Sequence, residues 1–562
     1  MKKLRWQILV VFITLIVVGV LLLSQEPTLQ PLLPQPTSGG VYTEALIGSM
    51  GRLNPLLDMN NTPDRDVDRL IYSGLIRFDA RGLPQPDLAE SWGTSQDGTI
   101  YNFSIRPNAV WHDGVAVTSD DIVFSLDLIK NGTSFYPQDI KDLWSEVEIK
   151  RLNDKMLQFR LPEPFAPFLD YLTFGVLPKH ILGSVPVDQI LNADFNLKPV
   201  GSGPYMLDHL IVENGQITGV VLTAFENYYG RKPYIRQVVF RYYSTAPAAL
   251  EAYQRDEVLG ISQVAPEILP DALAEPNMSV FTSRLPVLSL IYLNLNNPEV
   301  PFFQEVNVRK ALMMGLNRQW IVDDLLHGQA ILADGPILPG SWAYYEGIGH
   351  IIYDPETAVA TLKSEGYTIP VEGGDVRAKE GEQLAFTLLY PNDELHAAMA
   401  QIAQQNWAAI GVKVDLLALS YDQLVNDYLT PRRYQAALVD LNLTRSPDPD
   451  PYPFWHQSEA TGGQNYAQWE NHTASEYLEQ ARVTTDFTVR ERLYRNFQVV
   501  FAKELPSLPL YNPVYSYGVD AQIRGVQVAP LFDTSDRLAN ITDWYLVTRR
   551  ALELTPAPTV VP

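Results

Sequence analysis

Apolar positions recur at helical spacing in several separate stretches of the chain. Ile122, Leu126 and Ile129 share one face of a segment that Thr118 opens, with Asp121 at the third position and Gly132 at the end, a pattern that predicts a capped helix. Asp354-Pro355-Glu356 opens a second, with Val359 and Leu362 inward and Gly366 as its stop. Val489, Leu493, Phe497 and Val500 predict a third from Phe487 to Leu505, closed by Pro506. The period drops to two at Val412, Val414 and Leu416, directly after Gly411, so a strand is expected to follow a helix there. Leu285 to Leu295 and Leu508 to Val519 are apolar, β-prone and long enough to carry the chain between two lobes. Because helix and strand signals alternate throughout, the expected class is mixed α/β.

The two ends read differently. Lys2, Lys3 and Arg5 precede an apolar run from Trp6 to Leu23, broken only by Gln7, Thr14 and Gly19. This pattern is that of a secretory or anchoring segment, and Ser24-Gln25-Glu26-Pro27 lacks a small-residue cleavage site, which favours an uncleaved membrane anchor. The basic flank then stays in the cytoplasm and the rest lies outside. Pro27, Pro31, Pro34 and Pro36 make the next stretch an extended tether, and Thr555 to Pro562 is a similar tail.

Composition narrows the function. A chain of 562 residues exceeds one hydrophobic core, and 46% hydrophobic with 19% charged residues fits a globular protein of two or three domains. The net charge is −23 and the 42 basic residues form no stripe, so no nucleic-acid partner is expected. With no cysteine, disulfides, thiolate metal sites, cysteine nucleophiles and lipid attachment through cysteine are excluded. No H-E-x-x-H or G-x-S-x-G occurs, and the eight histidines never take paired ligand spacing. Asp448, Asp450 and Glu459 hold three calcium-loop places, but Pro453 stands where glycine is required. Gly201-Ser202-Gly203-Pro204 reads as a tight turn. No enzyme, cofactor or metal is expected.

Several motifs, taken in order, carry a resemblance. They are Leu53-Asn54-Pro55-Leu56, Ile71-Tyr72-Ser73-Gly74-Leu75, Pro86-Asp87-Leu88-Ala89-Glu90-Ser91-Trp92, Asp97-Gly98, Trp111-His112-Asp113-Gly114 and Asp120-Asp121-Ile122-Val123-Phe124-Ser125. Pro199 to Tyr205, Asn227-Tyr228-Tyr229-Gly230, Val308-Arg309-Lys310-Ala311-Leu312 and Ile410-Gly411-Val412 follow. The chain resembles the extracellular solute-binding proteins of family 5, which serve peptide and nickel ABC importers. The resemblance implies a periplasmic-binding-protein-like type II fold: two α/β lobes with a hinge and an extra domain inserted into the first lobe. Residues 40–80, 200–285 and 515–550 would form lobe I, 81–199 the inserted domain and 286–514 lobe II. From the pattern at the two ends, residues 1–5 would be the cytoplasmic flank, 6–23 the transmembrane anchor or signal segment, 24–39 the tether and 551–562 a disordered tail.

The resemblance also implies a monomeric extracytoplasmic substrate-binding component that hands a peptide or similar small solute to permease and ATPase subunits, and the N-terminal segment would anchor it to the outer face of the cell membrane. Oligosaccharide or nickel-chelate binding by the same fold, or a sensor uncoupled from transport, are the alternatives. The stretch Asp440 to Gln457 matches the family's ligand-facing loop, and its prolines are expected to make a stiff, extended platform whose aromatics and acids stay exposed. Expected ligand contacts are Asp440, Arg445, Asp448, Asp450, Trp455, His456, Asn465, Tyr466 and Asn54. Trp455 would stack on a sugar and His456 would help hold nickel. Many free-amine peptide binders carry an acid just before the Asp-Pro step, where this chain has Thr444 and Arg445; Arg445 is suited to a carboxylate instead.

Overall fold

The computed structural model describes residues 33–132, 136–371, 373–444 and 447–551. Its helices start where the caps placed them. The Thr118 N–H donates to Asp121 Oδ2 at 2.8 Å to open Ser119–Asn131, and Asp354 accepts the Thr357 N–H at 2.9 Å to open Pro355–Ser364. Asp486 caps Phe487–Glu504, which ends on Leu505 in the left-handed region, one residue before the proline that stops it. Gly411 turns at φ +84° between helix Glu394–Ala409 and strand Lys413–Leu419.

One long strand, Ser507–Asp520, organises a twelve-stranded sheet. Its first half pairs with Val287–Leu293 and Ala330–Leu332, its second half with Met278–Arg284 and Gly260–Ile261. Beyond the second half lie Val41–Ile47, Gln237–Tyr243, Gln216–Ala224 and Tyr205–Glu213, which build the first lobe. Beyond the first half lie Ala436–Asn442, Ala385–Pro391 and Lys413–Leu419, which build the second. Of the two expected crossing segments, Ser507–Asp520 spans both lobes, whereas the run from Leu285 to Leu295 starts at the crossing and lies in the second lobe as Val287–Leu293. A separate antiparallel sheet of Ala89–Thr94, Ile100–Ile105, Met156–Arg160 and Glu148–Asn153 carries helix Ser119–Asn131 and forms the inserted domain. The molecule is thus a two-lobe α/β protein with a hinge and an insertion.

Burial explains which parts move together. A single core runs from Tyr42 and Trp544 in the first lobe to Phe103, Trp111 and Trp144 in the inserted domain, so these two cannot separate without wetting it. The second lobe has its own cores on the two faces of its sheet, one around Phe386 and Trp407, the other around Trp455 and Phe501.

Part of the expected proline-rich tether is instead structural. Leu33–Thr37 pairs antiparallel with Val547–Ala551, an edge position that tolerates prolines because few of its N–H groups are needed. The apolar segment 6–23 and the tail beyond 551 lie outside the described residues. Among those described, no helix is long and apolar enough to cross a membrane.

Two motifs lock one another. Gly201 donates its N–H to His112 Nδ1 at 3.1 Å, and His112 Nε2 bonds the Gly203 carbonyl at 3.2 Å, so the ring is neutral with its proton on Nε2. Side chains at Gly201 or Gly203 would collide with the Ile71 and Leu70 carbonyls, which is why small residues stand there. Burial lowers the His112 pKa from 6.5 to about 4. Between those values the unfolded chain binds a proton that the folded protein refuses, so stability falls as pH falls through this window. Replacing His112 with Asn should destabilise the protein at pH 7. By urea unfolding, the gap from wild type should narrow by about 2–3 kcal/mol on going to pH 4.5. A gap independent of pH would contradict the neutral, buried ring.

Candidate functional site

A cavity of about 1470 Å³ opens where the three parts of the molecule meet. Helix Thr62–Ile71, strand Ile76–Phe78 and residues 527–543 supply the first-lobe wall. Trp144, Asp170, Tyr171 and Phe174 come from the inserted domain, and the second lobe contributes residues 442–444, 447–450, 453–454 and Gln464 as a rim. Among the described residues eleven aspartates and five arginines line it, with no lysine, histidine or glutamate, so its field favours cationic groups.

The rim is built on two ion pairs, one buried and one half-buried. Asp448 faces Arg490 at 2.6 Å through Nη1 and at 2.8 Å through Nη2, with both side chains almost fully buried. Burial works against the Arg490 charge, but the Asp448 carboxylate overcomes it and holds the guanidinium above its usual range. Asp450, in the positive-φ region, accepts Arg482 Nε at 3.1 Å and Nη2 at 2.9 Å. The Arg482 guanidinium stacks 4.1 Å from the Tyr452 ring and 5.4 Å from Phe165 of the inserted domain. The Asp448 N–H also crosses to Asp170 Oδ2 of the inserted domain at 2.9 Å. Burial, then the nearby Asp448 charge, pushes the Asp170 pKa well up; burial likewise raises Asp450 against the pull of Arg482. These contacts hold the second-lobe rim against the inserted domain.

Of the sequence-predicted contacts, Asp448 and Asp450 line the cavity. Arg445 lies outside the described residues. The expected exposure of the loop's aromatics and acids is corrected by the rest. Trp455 is 1% exposed, wedged against Tyr292 and Phe501 with ring centroids 5.8 and 4.8 Å away. His456 is buried, with Nδ1 2.7 Å from Ser458 Oγ, Nε2 2.9 Å from Glu479 and its ring stacked on Tyr452. Both ring nitrogens are thereby taken, which removes the one candidate nickel ligand. Asn465 donates to the His456 and Trp469 carbonyls, and Asn54 donates to Asn196 at 3.0 Å; both are fully buried. Tyr466 packs on Tyr292 beneath Arg432, and Asp440 lies across from Ser289, 3.4 Å from His396; neither lines the cavity.

The reason is local. Pro451 and Pro453 stand at the start of a helical turn, Tyr452–Trp455, where proline is tolerated, so the chain coils and turns its tryptophan inward instead of running extended. Sequence reasoning also missed the first-lobe wall. Its signal was available in Asp64, Asp66 and Asp68, three aspartates on one short helix that also carries Val67, Leu70 and Ile71.

Two lobes on a double-stranded hinge, with an insertion and a cavity at their junction, define a solute-binding protein. Residues 84–464 match the model of the bacterial extracellular solute-binding proteins, family 5 Middle, and the chain belongs to this family. It is 27% identical over 515 residues to the dipeptide-binding protein of Escherichia coli K12, spanning 86% of this chain and 91% of that one. It is 26% identical over 522 residues to the oligopeptide-binding protein AppA of Bacillus subtilis 168, spanning 91% and 92%. The solved structure of Bacillus subtilis AppA with a nonapeptide superposes with a TM-score of 0.63 at 25% identity, covering 91% of this chain and all of that one.

Because Asp448 and Arg490 are sealed together, Arg490→Met should cost about 3–5 kcal/mol in urea unfolding by stranding a buried carboxylate. Trp455→Ala should cost a similar 3–5 kcal/mol as a core truncation. A loss below about 1 kcal/mol for either would contradict the placement.

Proposed function

We propose that this chain is the extracytoplasmic substrate-binding component of an ABC importer that captures oligopeptide-like solutes and delivers them unaltered to the permease. The observation that carries this reading is the cavity. At about 1470 Å³ it exceeds the usual 300–1,000 Å³ of sites for single small molecules, and it lies between bodies joined by a hinge. The names of the relatives, dipeptide-binding and oligopeptide-binding, point to the same solute class. The basic flank and apolar segment 6–23 would hold the protein to the outer face of the membrane.

Ligand favours a closed form only through its greater affinity for it. Asp448 and Asp450 are the second-lobe residues assigned to the solute face. The protein acts by binding alone.

The test is mass spectrometry of small molecules released on denaturing protein purified from its native host. Peptides, chemically intact, are the expected result. Recovery of sugars or a metal chelate, or conversion of added peptides to shorter products, would refute the reading.

A further inference from the structure

Helix Thr62–Ile71, one wall of the cavity, carries five charged side chains, and four of them are matched. Asp64 accepts the Gly51 N–H at 2.9 Å and the Arg52 N–H at 2.7 Å. Arg65 reaches Asp533 at 3.2 Å, Arg69 reaches Asp536 at 2.9 Å, and Asp66 lies 2.6 Å from Arg537. The fifth is Asp68. It is 2% exposed, it lines the cavity, and neither carboxylate oxygen makes a hydrogen bond.

The nearby charges make its position worse. After burial itself, Asp58 and then Asp64 push the Asp68 pKa well above the usual carboxylate range; only the Asn54 amide, outside hydrogen-bonding geometry, favours its charged form. Asp58 is also buried and also lines the cavity. The helix's own arginines give no relief, because both are drawn to the segment beginning at Asp533. Buried charge without a partner is costly, so a site of this kind is completed by a cation.

The kind of cation follows from the donor set. Among the described residues no group of three or more side chains could hold a metal ion, and a hard divalent cation wants six or more oxygens. A primary ammonium has three N–H donors on a compact head, which two neighbouring carboxylates satisfy well. The excess of aspartate over arginine around the whole cavity draws such a group inward.

We infer that Asp68 and Asp58 form a subsite on the first lobe that receives a primary ammonium group of the solute. Its chemistry stands on Asp68 and Asp58 alone; its source, an amino terminus or a lysine side chain, rests on the peptide reading.

The full-length protein, its Asp68→Asn variant and, as a second variant, Asp58→Asn are titrated calorimetrically with trialanine, N-acetyl-trialanine and N-acetyl-Ala-Lys-Ala. Wild type is expected to prefer at least one ammonium-bearing peptide over N-acetyl-trialanine by about tenfold or more, and Asp68→Asn to lose that preference. Preference for trialanine identifies the amino terminus, and preference for the lysine peptide identifies the side chain. A variant that keeps the preference, or that weakens charged and acetylated peptides equally, overturns the inference.

Thermal denaturation with n-butylammonium separates this from the peptide reading. Wild type should melt higher in its presence and Asp68→Asn should not; equal shifts, or none in wild type, overturn the subsite even if peptides bind. Should no peptide bind while butylammonium still discriminates, the peptide reading fails and the subsite stands. Asp68→Asn removes an unmatched charge, so without additive it should melt no lower than wild type, whereas a purely structural carboxylate would make it melt lower.

Discussion

Backbone pairing between Ser507–Asp520 and the successive strands Met278–Arg284 and Val287–Leu293 is the constraint on which the rest of the molecule depends. One strand of fourteen residues serves both lobes, so each sheet is completed by a segment that also belongs to the other. At the crossing two prolines interrupt the supply of N–H donors. Pro286 and Pro513 bring no N–H, the Leu285 N–H still reaches the Pro513 carbonyl at 2.8 Å, and the Asn512 side chain stands in by donating to Val287 at 2.8 Å. Pro513 and Val514 are half-buried while the positions on either side of them are sealed. A ribbon that loses two N–H groups to proline and is half-buried at one point bends most readily at that point.

Each lobe grips its share of the ribbon through buried polar groups, which keeps bending from spreading. In the first lobe Tyr517 of the long strand donates to Glu44 at 2.7 Å, and Glu44 pairs with Arg537 at 2.5 Å, which also holds Asp66. In the second, Arg318 donates to the Pro509 carbonyl at 3.0 Å. Networks of this type add little net stability over an apolar core, but breaking one member is expensive, and so they rigidify. Helix Thr62–Ile71 is tied into the first network through Asp66, which places the cavity wall on the rigid side of the hinge.

Much of this was legible in the chain. Caps at Thr118 and Asp354 and the glycine at 411 located elements because their hydrogen bonds are local. The long crossing strand was legible because an apolar, β-prone run longer than most single strands has few other uses. The motif resemblance located the family, although its residues proved mainly structural, as His112 and Gly201 show by bonding each other. Side-chain roles were less legible. Trp455 and His456 stand in a proline-rich stretch that looks exposed, and only the tertiary packing of Tyr292 and Phe501 turns them inward. Which of five charges on one helix lacks a partner depends on segments hundreds of residues away, such as Asp533 and Asp536, and no local pattern records it.

The central claim is that two rigid halves close over a solute about one ribbon. The chain has no cysteine of its own, so Val212→Cys and Leu417→Cys, at exposed positions on opposite edges of the long sheet, give a single pair of spin labels. Double electron–electron resonance should show the distance distribution shift and narrow when a peptide digest of casein is added. A distribution that is the same with and without peptides, on protein shown to bind them, would contradict the account.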